Sequence, residues 1–324
     1  MVELSVLVMT FNSELYIEEA LESILRQKCS FNFEVVIGDD NSNDKTFKII
    51  KTYAEKYPNL FNIKTNKVQL GILKNFKNTL DRCKGQYVFN LDGDDIIKSD
   101  YTFQKMVEVL NKNPNLGFVD SGYDSILPDN MPVVKFDNRE NIFASKNEYK
   151  RRLFLGKVIP IGLCFRRESI YQYVDFNHYL RKQITIEDYP ILVDMAMHCD
   201  FETIKESLHI YRIHYSSYSH KNTFERVSFL RNQMLELFLF FSEKYHFSEE
   251  LKQTYLNNHY KSLLRDAGVY EKKNEGKTAF KAIKEKETID IIHYLASQFP
   301  IVRKIIRLRK KIYLKFLKLS KSTI

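Results

Sequence analysis

The stretch NLDGDD (90–95) places three carboxylates, Asp92, Asp94 and Asp95, within four positions at the end of an apolar run that begins at Gln86. Like charges this close oppose folding unless water or a cation shares them. A second pair, Asp39-Asp40, ends the apolar run FEVVIG about fifty residues earlier. Carboxylates repel a bare phosphate, but they and a diphosphate are both hard oxygen donors for Mg²⁺ or Mn²⁺. An ion shared between them would stabilise charge building on a diphosphate leaving group. Gly93 lets the chain bend tightly enough to bring the flanking carboxylates to one side. Taken alone, Asp-x-Asp could simply open a polar loop and cap a helix; the second acidic cluster favours a site. The chain has no GxxxxGK[ST] and no GxGxxG, so both common glycine-rich phosphate cradles are excluded.

These acids need elements to carry them. LSVLVM (4–9), FEVVIG (33–38), FNIKT (61–65) and QYVFNL (86–91) have the length and apolar content of strands, the continuous runs suiting strands covered on both faces. Between them Ile17, Ala20, Leu21, Ile24 and Leu25 repeat at helical spacing, with Ser13 placed to cap that helix. A second helix carries Phe47, Ile50 and Tyr53, and GILKNFKNTLDRC forms a third. Such alternation predicts a mostly parallel α/β sheet with right-handed crossovers, whose ligands bind beyond the carboxyl ends of the strands. Those ends carry Thr10-Phe11-Asn12, Asp39 to Ser42, and Asp92 to Asp95.

Beyond residue 100 the alternation loosens. Strands are expected at 116–123, 131–136 and 202–214, helices at 100–112, 146–155 and 189–199, and a helical, aromatic-rich region from about 223 to 297. The 324 residues, 44% hydrophobic and 28% charged, describe a globular chain of one large domain with an appendage, or of two domains. Cys29, Cys83, Cys164 and Cys199 lack the spacing of a zinc or redox motif and suit a reducing compartment as small buried hydrophobes. No positively charged leader and no run of eighteen apolar residues occurs, so the expectation is a chain that is not integral to a membrane.

In order and spacing, VLVMTFN, EVVIGDDNSNDKT, LGILKNF and GQYVFNLDGDD resemble family 2 glycosyltransferases of the glycosyltransferase A fold, bacterial surface-polysaccharide type. The likeness covers roughly residues 4–125, resumes at ITIEDYPIL and YRIHYSSYS, and fades after about 220. It implies that Thr10, Phe11 and Asn12 form the first nucleotide-binding turn, with Phe11 packing on the base. By the same resemblance Asp40 hydrogen-bonds a uracil-type base, Asp92 contacts the ribose or a metal-bound water, and Asp94 ligates the metal. His214 is implied as a metal or diphosphate contact, with Arg212, Ser217 and Ser219 near the phosphates. Met9 stands where many members have proline. Lys74 stands where many have arginine; it keeps the charge of this nucleotide-binding position without the bidentate fork.

Transfer with inversion needs a base for the proton of the acceptor hydroxyl. The resemblance assigns that work to the ED pair, Glu187-Asp188, with Asp188 as the base. Asp188 also precedes YPILVDMAM, so it could cap a helix whose first turn holds Pro190. IPIGLCFRRES (159–169) resembles an acceptor-side strand and loop; Arg166 and Arg167 are read as a solvated pair, with contact to an anionic acceptor as the alternative.

Charge is uneven. Residues 301–324 hold nine basic residues and no acid; without them the 50 basic residues fall to 41, equal to the 41 acidic ones. On a 100° wheel Ile301, Ile305, Leu308, Ile312, Phe316 and Leu319 share one face, and most of the lysines and arginines the other. This is the pattern of a helix lying in an anionic membrane interface. The plainer alternative packs the apolar face on the protein. A neutral body without a recognisable module argues against nucleic-acid binding.

The expected organisation is therefore a glycosyltransferase A-type catalytic domain (1–220), a helical region (221–298) and a basic amphipathic helix (299–324). The expected activity is metal-dependent inverting transfer of a hexosyl or N-acetylhexosaminyl group from a nucleotide-sugar, a UDP-sugar in the first instance. The acceptor is a glycan or lipid-linked oligosaccharide, the cofactor Mn²⁺ or Mg²⁺, and the location the inner face of the cell membrane. One alternative is a non-catalytic nucleotide- or partner-binding protein tethered by the tail. Another is Mg²⁺-dependent phosphotransfer, which leaves the ED pair and YRIH segment unexplained.

Overall fold

The computed structural model describes residues 2–127, 131–134, 145–158, 160–214 and 223–305. It divides into two compact units, Met1–Ser217 and Tyr218–Ile324. The first opens with strict alternation: β1 (Leu4–Thr10), α1 (Ile17–Leu25), β2 (Phe33–Asp39), α2 (Thr46–Lys56), β3 (Phe61–Thr65), α3 (Ile72–Leu80) and β4 (Tyr87–Asp92). There follow β5 (Ile96–Ile97), α4 (Thr102–Lys112), β6 (Leu116–Leu127), β7 (Met131–Val134), α5 (Lys146–Phe154) and β8 (Cys164–Arg166). The unit continues with α6 (Arg167–Tyr173), α7 (Phe176–Arg181), α8 (Asp188–His198) and β9 (Asp200–Arg212).

The strand order is β3-β2-β1-β4-β8-β6-β9-β5, with β7 paired to β6. The first four strands are mutually parallel. Every residue of β1 is buried, which is why its run is apolar without alternation. Its side chains share one core with Leu21 and Ile24 of α1, Val35 and Ile37 of β2, and Phe103 and Met106 of α4. Antiparallel β8 is inserted between β4 and β6, and β5 pairs antiparallel with β9.

The register of the parallel ladder aligns the site. Thr10 lies opposite Asp39, and Met9 opposite Asp92. Three chain reversals therefore leave the sheet at one level. Asn12 (φ 51°) and Asn41 (φ 64°) occupy the left-handed region there, which asparagine tolerates better than most residues.

Several expectations need correction. The first helix begins at Ile17, and Ser13 opens it through its carbonyl, which accepts from Ile17 N at 2.9 Å. The Ser13 hydroxyl turns instead to Phe11 O, because the intervening loop is tied to the loop after β2: Ser13 N donates to Thr46 Oγ1 (2.7 Å) and Glu14 N to Asp44 Oδ2 (3.1 Å). Arg166 and Arg167 are not a solvated pair, since each donates to backbone carbonyls. Arg166 donates to the Leu116 and Leu110 carbonyls, and Arg167 to Gly85 O at 2.6 Å. Of the cysteines, Cys83 and Cys164 are buried, while Cys29 and Cys199 are only partly so; all four are free.

The second unit holds α9 (Phe224–Lys244), α10 (Glu249–Tyr270), α11 (Lys273–Ala282) and α12 (Thr288–Gln298). Aromatic pairs join them: Phe238 stacks on Tyr255 at 3.7 Å, and Phe280 on Tyr294 at 4.4 Å. Among the described residues no helix is long and apolar enough to cross a membrane. Residues 306–324 of the basic segment lie outside the described residues.

α3 approaches β2 so closely that Gly38 has no room for a side chain, since a Cβ there would overlap the Thr79 hydroxyl. Asn75 of the same helix donates to Gly38 O at 2.8 Å. Gly38→Ala is therefore expected to cost about 2 kcal/mol through overpacking. A chemical-denaturation midpoint equal to that of the wild type would contradict this packing.

Candidate functional site

The turn after β4 is held against β1. Gly93 N donates to Met9 O at 2.8 Å. A Cβ on Gly93 would come within 2.9 Å of the Thr10 Cβ, so the turn needs glycine for close approach. The strand itself runs through Asp92, leaving Asp94 and Asp95 in the turn beyond it. Asp95 is buried and accepts from Arg212 N at 2.8 Å. The short β5–β9 pairing makes this contact possible, and it carries the chain after β9 past the acidic turn. His214 Nε2 consequently lies 2.8 Å from Asp94 Oδ2, with the Tyr16 ring 4.6 Å from the imidazole.

The loops after β1 and β2 form one assembly. Asn12 N donates to Ser42 Oγ, and Asn12 Oδ1 accepts from Asn43 N, both at 2.9 Å. Phe11 stands exposed between these anchors, and Thr10 is buried with no hydrogen-bond partner for its hydroxyl. Asp39, which the sequence reading did not single out for a role, is fully buried and accepts from Ser42 N and Thr65 Oγ1. Asp40 is also buried. It accepts from Asn66 Nδ2 (3.0 Å), Leu70 N (2.7 Å) and Gly71 N (2.9 Å), so it holds the 66–71 loop. A carboxylate has about four acceptor sites, which leaves one for a further donor. Lys74 is exposed in the first turn of α3.

Glu187 and Asp188 lie at the start of α8. Glu187 occupies the cap position with no side-chain capping bond, whereas Asp188 is the first helical residue and accepts from Tyr189 N at 2.6 Å. Pro190 stands in the first turn, where its missing N–H costs nothing. Both acids line a cavity of about 50 Å³ together with Asp92, Asp95 and Asn90. The cavity has room for a few water molecules, and Leu163, Phe165 and Ile191 supply apolar wall. Asn90 Oδ1 is buried there without a partner, a feature that strand periodicity alone does not single out.

Electrostatically the site is overloaded with acid. Burial, then the charges of Asp94 and Asp188, push Asp92 up to about 7. Asp95 is raised well above the usual carboxylate range by burial and by Asp94 and Asp92, with Arg212 opposing. Burial raises Glu187 strongly, helped by Asp188 and Asp92. Asp188 is raised by burial against the Tyr189 N–H.

Arg212 also donates to Asp94 O (3.0 Å) and to Glu19 Oε2 (2.5 Å), lying over the Tyr16 ring. Glu19 and Tyr16, at the start of α1, were not foreseen; they are ordinary amphipathic-helix residues until β9 comes beside them. Ser217 and Ser219 lie outside the described residues. Among the described residues no three side chains of His, Cys, Asp or Glu converge as a complete metal set. What exists is the Asp94–His214 pair, one oxygen and one nitrogen donor, beside carboxylates whose mutual repulsion a cation would relieve. That donor set is chemically compatible with a divalent ion.

The family model described as Glycosyl transferase family 2 matches residues 5–173. A Mycobacterium tuberculosis protein, itself uncharacterised, is 36% identical over 111 residues, 34% of this chain and 32% of that one. Staphylococcus aureus TarS, named a poly(ribitol-phosphate) beta-N-acetylglucosaminyltransferase, is 38% identical over 104 residues, 31% of this chain and 18% of TarS. The matched segment thus spans a third or less of these relatives' length. In three dimensions the chain resembles S. aureus TarS 1–349 in complex with UDP-GlcNAc: TM-score 0.53, 17% identity, 91% of this chain and 90% of that one. It also resembles the mannosyltransferase PcManGT from Pyrobaculum calidifontis, in complex with GDP-Man and Mn²⁺: TM-score 0.54, 17% identity, 96% and 80%. At that identity the likeness is one of fold.

The carboxylate cluster predicts a pH dependence. The folded value for Asp92, about 7, exceeds the unfolded value of about 3.9, so the folded state binds more protons between those limits. Stability contributed by this group is present below the unfolded value and is lost as pH rises through about 7. In chelator, the melting temperature should fall from pH 5 to pH 8, and Asp92→Asn should flatten that slope. An unchanged slope in the variant would show that Asp92 does not carry it.

Proposed function

The chain belongs to glycosyl transferase family 2, and from that premise we propose that it moves a sugar from a nucleotide diphosphate donor to a hydroxyl of a glycan or lipid-linked acceptor. A UDP-sugar is the donor of first choice, and transfer inverts the anomeric carbon with a divalent ion bound. The observation that carries this reading is the convergence of Asp92, the Asp94–His214 pair and the Glu187-Asp188 pair at the ends of β4 and β9 and the start of α8.

Each group has a part. The buried Thr10 hydroxyl and the exposed Phe11 ring, on a loop anchored by Asn12, suit a nucleoside. Asp40 keeps one acceptor site for a base N–H, and Lys74 stands clear to meet phosphate. Asp94 and His214 would hold Mn²⁺ or Mg²⁺, which when bound offsets charge on the diphosphate. Asp188 takes the proton of the acceptor hydroxyl as its oxygen bonds to the anomeric carbon, and the bond to the diphosphate oxygen breaks with its electron pair. Burial of Asp188 raises its proton affinity, bringing it toward the pH at which a base works best. The relatives named for N-acetylglucosaminyl transfer and bound to UDP-GlcNAc support a UDP-linked donor for this chain as well.

Two experiments test the reading. Thermal stabilisation by UDP, GDP, CMP and ADP, each with Mn²⁺ and with chelator, should select one diphosphate and require the metal. No shift with any of them would favour a protein that binds a partner without transfer. Asn accepts the Tyr189 N–H as Asp does but cannot take the proton. Asp188→Asn should therefore leave the protein at least as stable, since it removes one charge from the cluster, and lower turnover about 10²–10⁴-fold. Full turnover in that variant would remove Asp188 as the base.

A further inference from the structure

The helical turn at residues 300–305 presents its faces the wrong way round for a helix resting on its own protein. Ile301 is 69% exposed and Ile305 54%, whereas Arg303 between them is only 5% exposed. The Arg303 Nε lies 3.2 Å from Glu271 Oε1. Glu271 is the left-handed residue (φ 65°) that closes α10, so this partner has a defined place. Glu271 thus partners one nitrogen of this buried guanidinium, whose Nη1 is buried without a hydrogen bond. Arg303 faces the helical unit, and the isoleucines face away from it.

We propose that this outward apolar face is where the protein rests on an anionic lipid surface. In the sequence, Leu308, Ile312, Phe316 and Leu319 repeat on the same 100° wheel as Ile301 and Ile305. The segment from 301 to 324 supplies nine basic residues and no acid. Packing that face on the body would bury Ile301 and Ile305, and the structure leaves them exposed. A second copy meeting the same face would bring two all-basic segments together, which like-charge repulsion opposes. Anionic headgroups complement the charge, and acyl chains accept the isoleucines. The inference stands independently of the transferase reading, since neither residue belongs to the catalytic unit.

The test is co-sedimentation of the full chain with vesicles of phosphatidylcholine, alone or mixed with phosphatidylglycerol, at low and high salt. The chain should pellet with the anionic vesicles, and less so at high salt. The double variant Ile301→Glu, Ile305→Glu should bind at least tenfold more weakly, and both positions are exposed enough to leave the melting curve unchanged. Wild-type binding by that variant, or equal binding to neutral vesicles, would overturn the proposal. A dimer in light scattering that the same substitutions dissolve would assign the face to a second copy and overturn it too.

Discussion

The candidate site is organised around an electrostatic problem: Asp92, Asp95, Glu187 and Asp188 are packed where burial and mutual repulsion all raise their proton affinity. Such a cluster opposes folding at neutral pH, and the sheet must hold it against that tendency. It does so with a parallel ladder whose register puts Met9 opposite Asp92 and Thr10 opposite Asp39. The fully buried β1 is the rigid member, and the turns on either side are bonded to its end. The chemistry proposed here depends on that stored repulsion, because a cation or a transferred proton is what relieves it.

Two kinds of acid share this edge, and their surroundings separate them. Asp39 and Asp40 are each held by hydroxyl, amide or backbone donors, so they shape loops, and Asp40 retains a single site for a ligand. Asp92 and Glu187 have burial and like charge as the leading influences; Glu187 has two backbone N–H groups against them, and Asp92 has no opposing donor. The difference follows from loop geometry. The 66–71 segment folds over Asp40 and offers backbone N–H groups, whereas the cavity beside Asp92 is walled by apolar side chains and an unpartnered Asn90 carbonyl.

The helical unit has a different physical basis. Its core is made of stacked aromatic rings and a small cluster around Leu264, Ala279 and Ile283. Its last described turn carries an ion pair, Arg303 with Glu271. In that turn Arg303 is buried while Ile301 and Ile305 stand exposed, and the lipid proposal rests on this arrangement.

The strands and helices up to β4 were legible in the sequence because apolar periodicity reports local burial: the runs at 4–9, 33–38, 61–65 and 86–91 became β1 to β4 with shifts of about one residue at their ends. The acidic ends, the glycine between Asp92 and Asp94 and the charge of the tail were equally plain, since they are facts of composition and spacing. What periodicity could not supply was the partner of each acid. Asp94 meets His214 across 120 positions and Asp95 meets Arg212 across 117, through a two-residue strand too short to leave a signal. Ser13 looked like a cap until loop-to-loop hydrogen bonds claimed its surroundings, and Arg166 and Arg167 looked solvated until neighbouring carbonyls received them. The sequence by itself determined which residue types stand at each strand end. The tertiary structure decided which of them face one another, because pairing between distant strands depends on register and packing over the whole sheet and not on any local pattern.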